Sequence, residues 1–450
     1  MSSESCPIHK LPPELLALIF IQSRPSDVLP SQNDAPLVLL RICRYWRSIA
    51  YDTPELWIEL NLRSTRPSIS LDATYLLKLW LSHSGVLPVD LNVDIESTAE
   101  ILEDLFYNIH RFRRLDITIG YRFLRYLRGF RRPLNAVSLT ALTISDLTWE
   151  ADYTILKTHI SAPVLRSIIM RGPGFAMPIL KFNFGNIRTL VVDEGVVLSM
   201  YTHFVDDLRL CTSLEELELT CCSPVLPLGT PSGGPLTFPN LKTFRVIMDS
   251  ERDPEAFLSS LRFPNLHTLE IRGYTAHFFS ALLHADHLAP LLLPSNPPLV
   301  SLTLGYFAVT TKDVYSGVLD SSPINKHRMT DLLRGLTSLD SLTIREGRID
   351  VEILNFLTPS LNPAGEIICP ALTKLILIHV HFSWDPIIRM LDARVPRENS
   401  PDSSRKLVTF MAEDCHPGIP MEDHHKQSVN KICIESGQTF RWAYSISPIN

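Results

Sequence analysis

Two pairs of histidines have residue types and spacings that could bind a metal ion. His284 and His287 lie three residues apart after an apolar stretch, and His424 and His425 are adjacent beside Asp423. Imidazole nitrogens and carboxylate oxygens are common zinc ligands. Histidines also occur on protein surfaces without a ligand role, and we favour that interpretation for both pairs. We therefore predict no metal and no cofactor.

Catalytic motifs are absent from the sequence. It contains no GxSxG, no Walker loop, no HExxH and no GxGxxG, patterns that place a nucleophile, a phosphate or a metal in a defined local structure. The eight cysteines form no CxxC pair, and the adjacent Cys221 and Cys222 fit no zinc spacing. We expect reduced, mostly buried thiols and no catalytic residue. An unrecognised enzyme site is the last of three interpretations of function.

A basic cluster occupies 22 positions and contains Arg111, Arg113, Arg114, Arg122, Arg125, Arg128, Arg131 and Arg132. Arg122, Arg125 and Arg128 step by three along a predicted helix. The planar guanidinium group suits carboxylates and phosphates, so these three could bind an acidic or phosphorylated segment of a substrate. A solvated helix face is the interpretation that we favour. The net charge of −6 argues against nucleic-acid binding.

Apolar residues with helical spacing mark the beginning of the chain. Leu15 and Ile19 are four residues apart, as are Leu16 and Phe20, so each pair lies on one side of a short helix. One small helix cannot hide all of the apolar residues Leu11, Pro12, Leu15, Leu16 and Ile19 internally. They predict packing against a partner, or alternatively against the domain that follows.

A second helical pattern follows a polar gap. Leu39, Ile42, Trp46 and Ile49 step by three, four and three residues. Thr53 and Pro54 then look like an N-cap followed by proline at the first helical position. The gap, residues 23–36 with the sequence SRPSDVLPSQNDAP, is predicted to loop out.

The phrases LPPELL, CRYWRSIA and TPELW occur in this order, and together they resemble the F-box in the divergent form common in fungal F-box proteins. The resemblance covers residues 8–62. It implies that Leu11, Pro12, Leu15, Leu16 and Ile19 bind the Skp-type adaptor of a cullin–RING ubiquitin ligase. It also implies that the rest of the chain selects a protein substrate.

A strand-like phrase recurs through the rest of the chain: an apolar residue, two others, an apolar residue, one other, and a further apolar residue. The first apolar anchors are Phe112, Leu139, Leu165, Ile187, Leu214, Leu241, Leu266, Leu299, Leu339 and Leu372. The first six separations are 22 to 27 residues, a period typical of a leucine-rich-repeat solenoid, and the last three are longer, at 33 to 40 residues. Weaker copies occur near Val89 and Leu407. Only Cys222 occupies the usual asparagine or cysteine position after a strand, so the repeats are divergent.

Helical patterns lie between these phrases. They begin near Asp72, Ser97, Asp253 and Asp385. The sequence therefore predicts an α/β fold in which a small helical F-box, residues 8–62, precedes a leucine-rich-repeat-like solenoid with parallel strands, residues 63–450. A single compact α/β domain is the alternative.

Composition agrees with an interaction protein. The chain has 450 residues, 45% of them hydrophobic. The sequence has no basic-then-apolar leader and no apolar run long enough to span a bilayer, so we expect a cytoplasmic or nuclear protein without membrane contact. The sequence thus predicts a non-catalytic substrate adaptor of an SCF-type ubiquitin ligase. The main alternative is an interaction scaffold that acts outside ubiquitin ligation.

Overall fold

The structure is a computed structural model. It describes residues 7–25, 29–63, 73–94, 101–119, 134–146, 158–172, 180–181, 184–193, 208–222, 235–249, 258, 260–273, 288, 291–306, 332–349, 351–361, 367–397, 406–417, 421–437 and 440–444. The chain divides into two compact units, Met1–Val197 and Leu198–Asn450.

The first unit begins with short helices. The α-helices described here are α1 (Pro13–Gln22), α2 (Leu39–Ile42), α3 (Arg44–Tyr51), α4 (Ala73–His83) and α5 (Leu102–Tyr107). Short 3-10 turns cover Pro7–Lys10, Pro54–Trp57, Ile109–Arg111 and Phe184–Asn186. The prolines at the starts of α1 and of the Pro54 turn lie where a backbone N–H would have no helical partner.

The second helical pattern of the sequence forms two helices rather than one. Cys43 has extended backbone angles, φ −157° and ψ 169°, and it separates α2 from α3. The backbone N–H of Trp46 donates to the Cys43 sulfur at 3.4 Å, so the thiol caps the first turn of α3. The predicted helical pattern is therefore present, and the break at Cys43 within it was not predicted.

Parallel strands form the sheet of the first unit. They are β1 (Glu59–Leu62), β2 (Val89–Asp94), β3 (Phe112–Ile119), β5 (Ala141–Asp146), β7 (Ser167–Arg171) and β9 (Thr189–Asp193), each paired with the next. Short strands β4 (Leu134–Asn135), β6 (Thr158–Ser161) and β8 (Leu180–Lys181) pair separately. Helix α4 packs against β1 and α5.

The second unit repeats this arrangement. Its described main strands are β10 (Glu216–Cys222), β12 (Thr243–Asp249), β14 (Thr268–Gly273), β15 (Ser301–Tyr306), β16 (Ser341–Arg348), β17 (Lys374–Phe382), β18 (Thr409–Glu413) and β20 (Arg441–Tyr444), in that order and parallel. Strand β19 (His416–Pro417) pairs with β17, and β11 (Leu236–Thr237) with β13 (Leu261–Arg262). The longer helices among its described residues are α6 (Val351–Phe356), α7 (Trp384–Arg394) and α8 (Asp423–Glu435), with a 3-10 turn at Pro359–Leu361.

The strands stand in one register, and the register matches the repeated phrase. Buried neighbours across the second unit are Leu217, Phe244, Leu269, Leu302, Leu342, Leu375 and Phe410. All ten predicted first anchors are buried as well. The parallel strands are therefore confirmed, because equivalent positions of successive phrases pack on top of one another. The solenoid itself stays a prediction.

Predicted helix starts agree with the structure only in part. Helix α7 begins at Trp384, with Ser383 at the N-cap position, rather than at Asp385 and Pro386. The starts near Asp72, Ser97 and Asp253 lie outside the described residues. The side chain of Cys222 and the pair His284 and His287 also lie outside them. None of the helices in the described ranges is long and apolar enough to cross a lipid bilayer.

Candidate functional site

Helix α1 has one buried and one exposed apolar side. Leu16 and Phe20 are buried, and the Phe20 ring lies 4.9 Å from the Trp46 ring of α3, measured between centroids. On the exposed side, Leu15, Leu18 and Ile19 retain 47%, 57% and 46% of their accessible surface. The spacing of three and four residues places these three side chains together, so they form one exposed apolar patch on α1.

A rigid base supports this helix. The indole N–H of Trp57 donates to the Ala50 carbonyl at 2.8 Å, and the Thr53 hydroxyl donates to the Ile49 carbonyl at 2.7 Å. Trp57 is fully buried and meets Trp80 edge to face, with ring centroids 5.0 Å apart. The TPELW phrase thus forms a buried anchor below α1 rather than part of its exposed surface.

The polar gap does not simply loop out into solvent. Ser23 ends α1 by donating its hydroxyl to the Phe20 carbonyl at 2.8 Å. The Arg24 guanidinium donates to the Glu55 carbonyl at 2.9 Å and pairs with the Glu59 carboxylate at 3.0 Å. These contacts fold the described part of the gap back toward β1, where Leu29 stays 41% exposed.

The predicted adaptor-binding residues separate into two groups. Pro12, Leu15 and Ile19 are exposed and Leu11 is half-buried, so all four are accessible to a partner. Leu16 is fully buried inside the chain, so its contribution is to the core that holds α1 in place. The predicted substrate-binding residues Arg122, Arg125 and Arg128 lie outside the described residues.

Sequence reasoning missed further exposed apolar residues in this region. Leu18, Ile42 and Tyr45 are exposed. Leu18 lies three residues after Leu15, so helical spacing alone could have placed it on the exposed side. Ile42 was assigned to an apolar helix face, and it is exposed because the break at Cys43 ends α2 at this residue.

One group of side chains in the second unit has the composition of a metal site. Among the residues that the structure describes, the ligand atoms of Asp385, His424 and His425 lie within 4.8 Å of one another. His425 accepts a hydrogen bond at Nδ1 from the Glu422 N–H and lies 3.1 Å from Asp385 through Nε2. Both ring nitrogens of His425 are therefore engaged in contacts within the chain.

His425 therefore joins the beginnings of α7 and α8. It is buried, so the expectation of a surface histidine was wrong for this residue. Its carboxylate partner is Asp385, which is 40 residues away in sequence, rather than the neighbouring Asp423. That long separation explains why spacing along the chain did not reveal the contact.

Comparison with known families places the exposed helix in a recognised domain. Residues 8–63 match the family described as F-box-like, and the match ends one residue beyond the boundary predicted from the sequence. The match supports an F-box protein. F-box domains are generally non-catalytic adaptors and typically bind Skp-type adaptors. A comparison with curated proteins found no match.

Proposed function

We propose that this protein is the substrate-recognition subunit of an SCF-type ubiquitin ligase. The F-box would bind a Skp-type adaptor and, through it, a cullin, and the rest of the chain would hold a protein target near a ubiquitin-conjugating enzyme. The observation that carries the proposal is the exposed apolar side of α1, because it lies within the F-box-like residues and rests on a buried base. The protein itself would perform no chemistry.

The target-binding part is proposed to be a leucine-rich-repeat-like solenoid over residues 63–450. Parallel sheets in doubly wound folds are buried on both faces. Here most of the described strand residues that alternate with the buried row are polar and partly exposed, as at Glu218, Arg245, Glu270, Thr303 and Thr343. One open polar face supports a solenoid with a surface available to a protein partner.

The charged residues of this face are already organised. Arg245 contacts the carboxylates of Glu216 at 2.7 Å, Glu218 at 3.2 Å and Glu270 at 3.4 Å. The surrounding carboxylates raise the pKa of Arg245 against the opposing effect of burial. Such a fixed network presents a defined pattern of charge, which favours selectivity for one target over general attraction.

Recovery of partner proteins separates the proposal from its main alternative, an interaction scaffold. The tagged full-length protein is purified from cells in which it is cytoplasmic or nuclear, as we propose, and the bound proteins are identified. Recovery of both the Skp-type adaptor and the cullin supports ubiquitin ligation. A target recovered without either one supports the scaffold.

The basic cluster provides a further proposal about the target. If Arg122, Arg125 and Arg128 face solvent, they would bind an acidic or phosphorylated segment of the target with strong dependence on salt, since exposed charges are screened over about 10 Å at 0.1 M. Replacing all three by Glu should weaken target capture and leave adaptor binding unchanged. If target capture changes neither with the replacement nor with the salt concentration, the three arginines belong to a solvated helix face.

A further inference from the structure

A cavity in the first unit is not explained by adaptor binding. It has a volume of about 400 Å³ and lies between the polar gap and the outward side of β1, β2 and β3. Small-ligand sites typically have volumes of about 300–1,000 Å³. The cavity is therefore large enough for a few connected residues or a small molecule.

The floor of the cavity is a polar row on neighbouring strands. Asn61, Asn92 and Asp116 are paired residues of β1, β2 and β3, and all three line the cavity. The Asn92 side-chain oxygen is buried and has no hydrogen-bond partner among the described residues. A carboxamide offers both an acceptor and two donors, which matches the N–H and C=O groups of a peptide chain.

The charges around the cavity cancel. Both oxygens of Asp90 accept hydrogen bonds from Arg113, at 2.9 and 2.6 Å, and Asp116 pairs with Arg63 at 2.7 Å. Among the described residues, the charged groups that line the cavity are the carboxylates of Asp34, Glu59, Asp90 and Asp116 and the guanidinium groups of Arg24 and Arg114, and the ion-pair partners of Asp90 and Asp116 are Arg113 and Arg63. A ligand with a strong net charge has no complementary field here, whereas an uncharged polar ligand meets donors and acceptors on the floor.

The described part of the polar gap forms the other wall. It contributes the apolar residues Pro25, Leu29, Pro30, Ala35 and Pro36 beside the charged Arg24 and Asp34. Leu29 is partly exposed at this wall. Burial also raises the pKa of the Asp116 carboxyl group against the opposing effect of Arg63, so the floor is partly shielded from water. A hydrogen bond in such a site is electrostatically stronger than one on an open surface.

We propose that this cavity binds an extended, uncharged segment of a protein target, with a peptide N–H donating to the Asn92 side-chain oxygen and an apolar side chain against Leu29 and the prolines. The proposal rests on the proposed function, and it places one target contact beside the F-box. A protein segment fits better than a nucleic acid, because the paired charges leave no excess of positive charge to bind phosphates.

A peptide selection tests the proposal on the full-length protein. A phage-displayed library of linear peptides is selected on the wild-type protein, and an enriched sequence is synthesised with blocked ends and measured by fluorescence polarisation. The matched variants are Asn92→Leu on the floor, Leu29→Ser on the wall, and Thr143→Val as a control. Thr143 pairs with Asp116 in the same outward row but does not line the cavity.

We expect an enriched sequence with an apolar residue, and we expect Asn92→Leu and Leu29→Ser each to weaken its binding about tenfold. Thr143→Val should bind as the wild type does. Asn92→Leu should fold normally, since it removes a buried oxygen without a partner. An absence of enrichment, or binding as tight as that of the wild type by Asn92→Leu or by Leu29→Ser, would overturn the proposal. Adaptor binding is measured on the same samples. If the wild-type protein does not bind the adaptor, that result contradicts only the proposed function.

Discussion

Individual side chains on α1 have different roles although they are similar in chemistry. Leu15 and Leu16 are neighbours in sequence, and yet one is half-exposed and the other is fully buried. A buried leucine contributes to stability through the surface it removes from water and through close packing, whereas an exposed one contributes little to either. Adaptor binding and domain stability can therefore be separated by adjacent substitutions.

The first prediction uses this difference. Leu16→Ala should lower the free energy of unfolding of the first unit by about 2–5 kcal/mol, because it leaves a cavity beneath α1. Leu15→Ala should change it by less than about 0.5 kcal/mol. Urea unfolding followed by tryptophan fluorescence measures both. Equal destabilisation by the two variants would show that the orientation of α1 is wrong.

Two buried thiols provide a second prediction. Burial raises the pKa of Cys369 to about 12 and that of Cys415 to about 11. The thiolate is the reactive form of cysteine, so both residues should resist iodoacetamide at pH 8 in the folded protein and react after denaturation. Peptide mapping by mass spectrometry assigns the modified residues. Rapid modification of Cys369 under native conditions would contradict its burial.

The same shifts have a consequence for stability. Unfolded thiols ionise near pH 9, and the folded ones keep their protons until pH 11 to 12. Between about pH 9 and pH 12 the unfolded state therefore binds fewer protons than the folded state. The free energy of unfolding should fall as pH rises from about 9 through the two folded pKa values. Replacing both cysteines by alanine should remove the part of the pH dependence of stability that these two thiols cause.

At the scale of elements, the sequence predicts strands better than their ends and connections. The phrase around Leu269 predicts a buried position because alternation along a strand is a local property. Strands β1 and β20 were not predicted: β1 follows directly on the F-box phrases, and β20 lies beyond the last phrase recognised. The contact between Arg24 and Glu59 joins residues 35 positions apart, which no local pattern can predict.

The break between α2 and α3 was missed for another reason. Serine, threonine, asparagine and aspartate are the usual N-caps, and Cys43 is not among them. Helical spacing could assign the apolar residues of α1 to two sides. It could not show which of the two sides faces the core. That choice depends on contacts with other elements, such as the one between Phe20 of α1 and Trp46 of α3.

A third prediction concerns the strand register. Leu269→Asp places an unpaired charge in the buried row, and it should lower the free energy of unfolding by at least about 3 kcal/mol. Thr268→Asp is the matched control, since Thr268 lies on the opposite face of β14 and is not buried. Thermal unfolding of both variants measures the difference. A similar loss of stability in the two variants would show that the strand register is displaced.

At the scale of the whole molecule, an F-box-like domain precedes a long series of parallel strands. The domain is a small part of the chain, residues 8–63, and its exposed apolar helix is proposed to connect the chain to the ligase. The strands that follow offer polar residues over a much larger area, and these are proposed to select the target. This division assigns adaptor binding and target binding to residues that can be changed independently.

The most direct measurement is calorimetric titration of the purified full-length protein with a purified Skp-type adaptor. We predict a one-to-one complex that is lost when Leu15 and Ile19 are both replaced by Asp, because charges then occupy the apolar surface. Ile434→Asp is the control, since Ile434 is an exposed aliphatic residue of α8 in the other unit, and it should bind normally. No binding by the wild type, or undiminished binding by the double variant, would contradict the proposed adaptor surface.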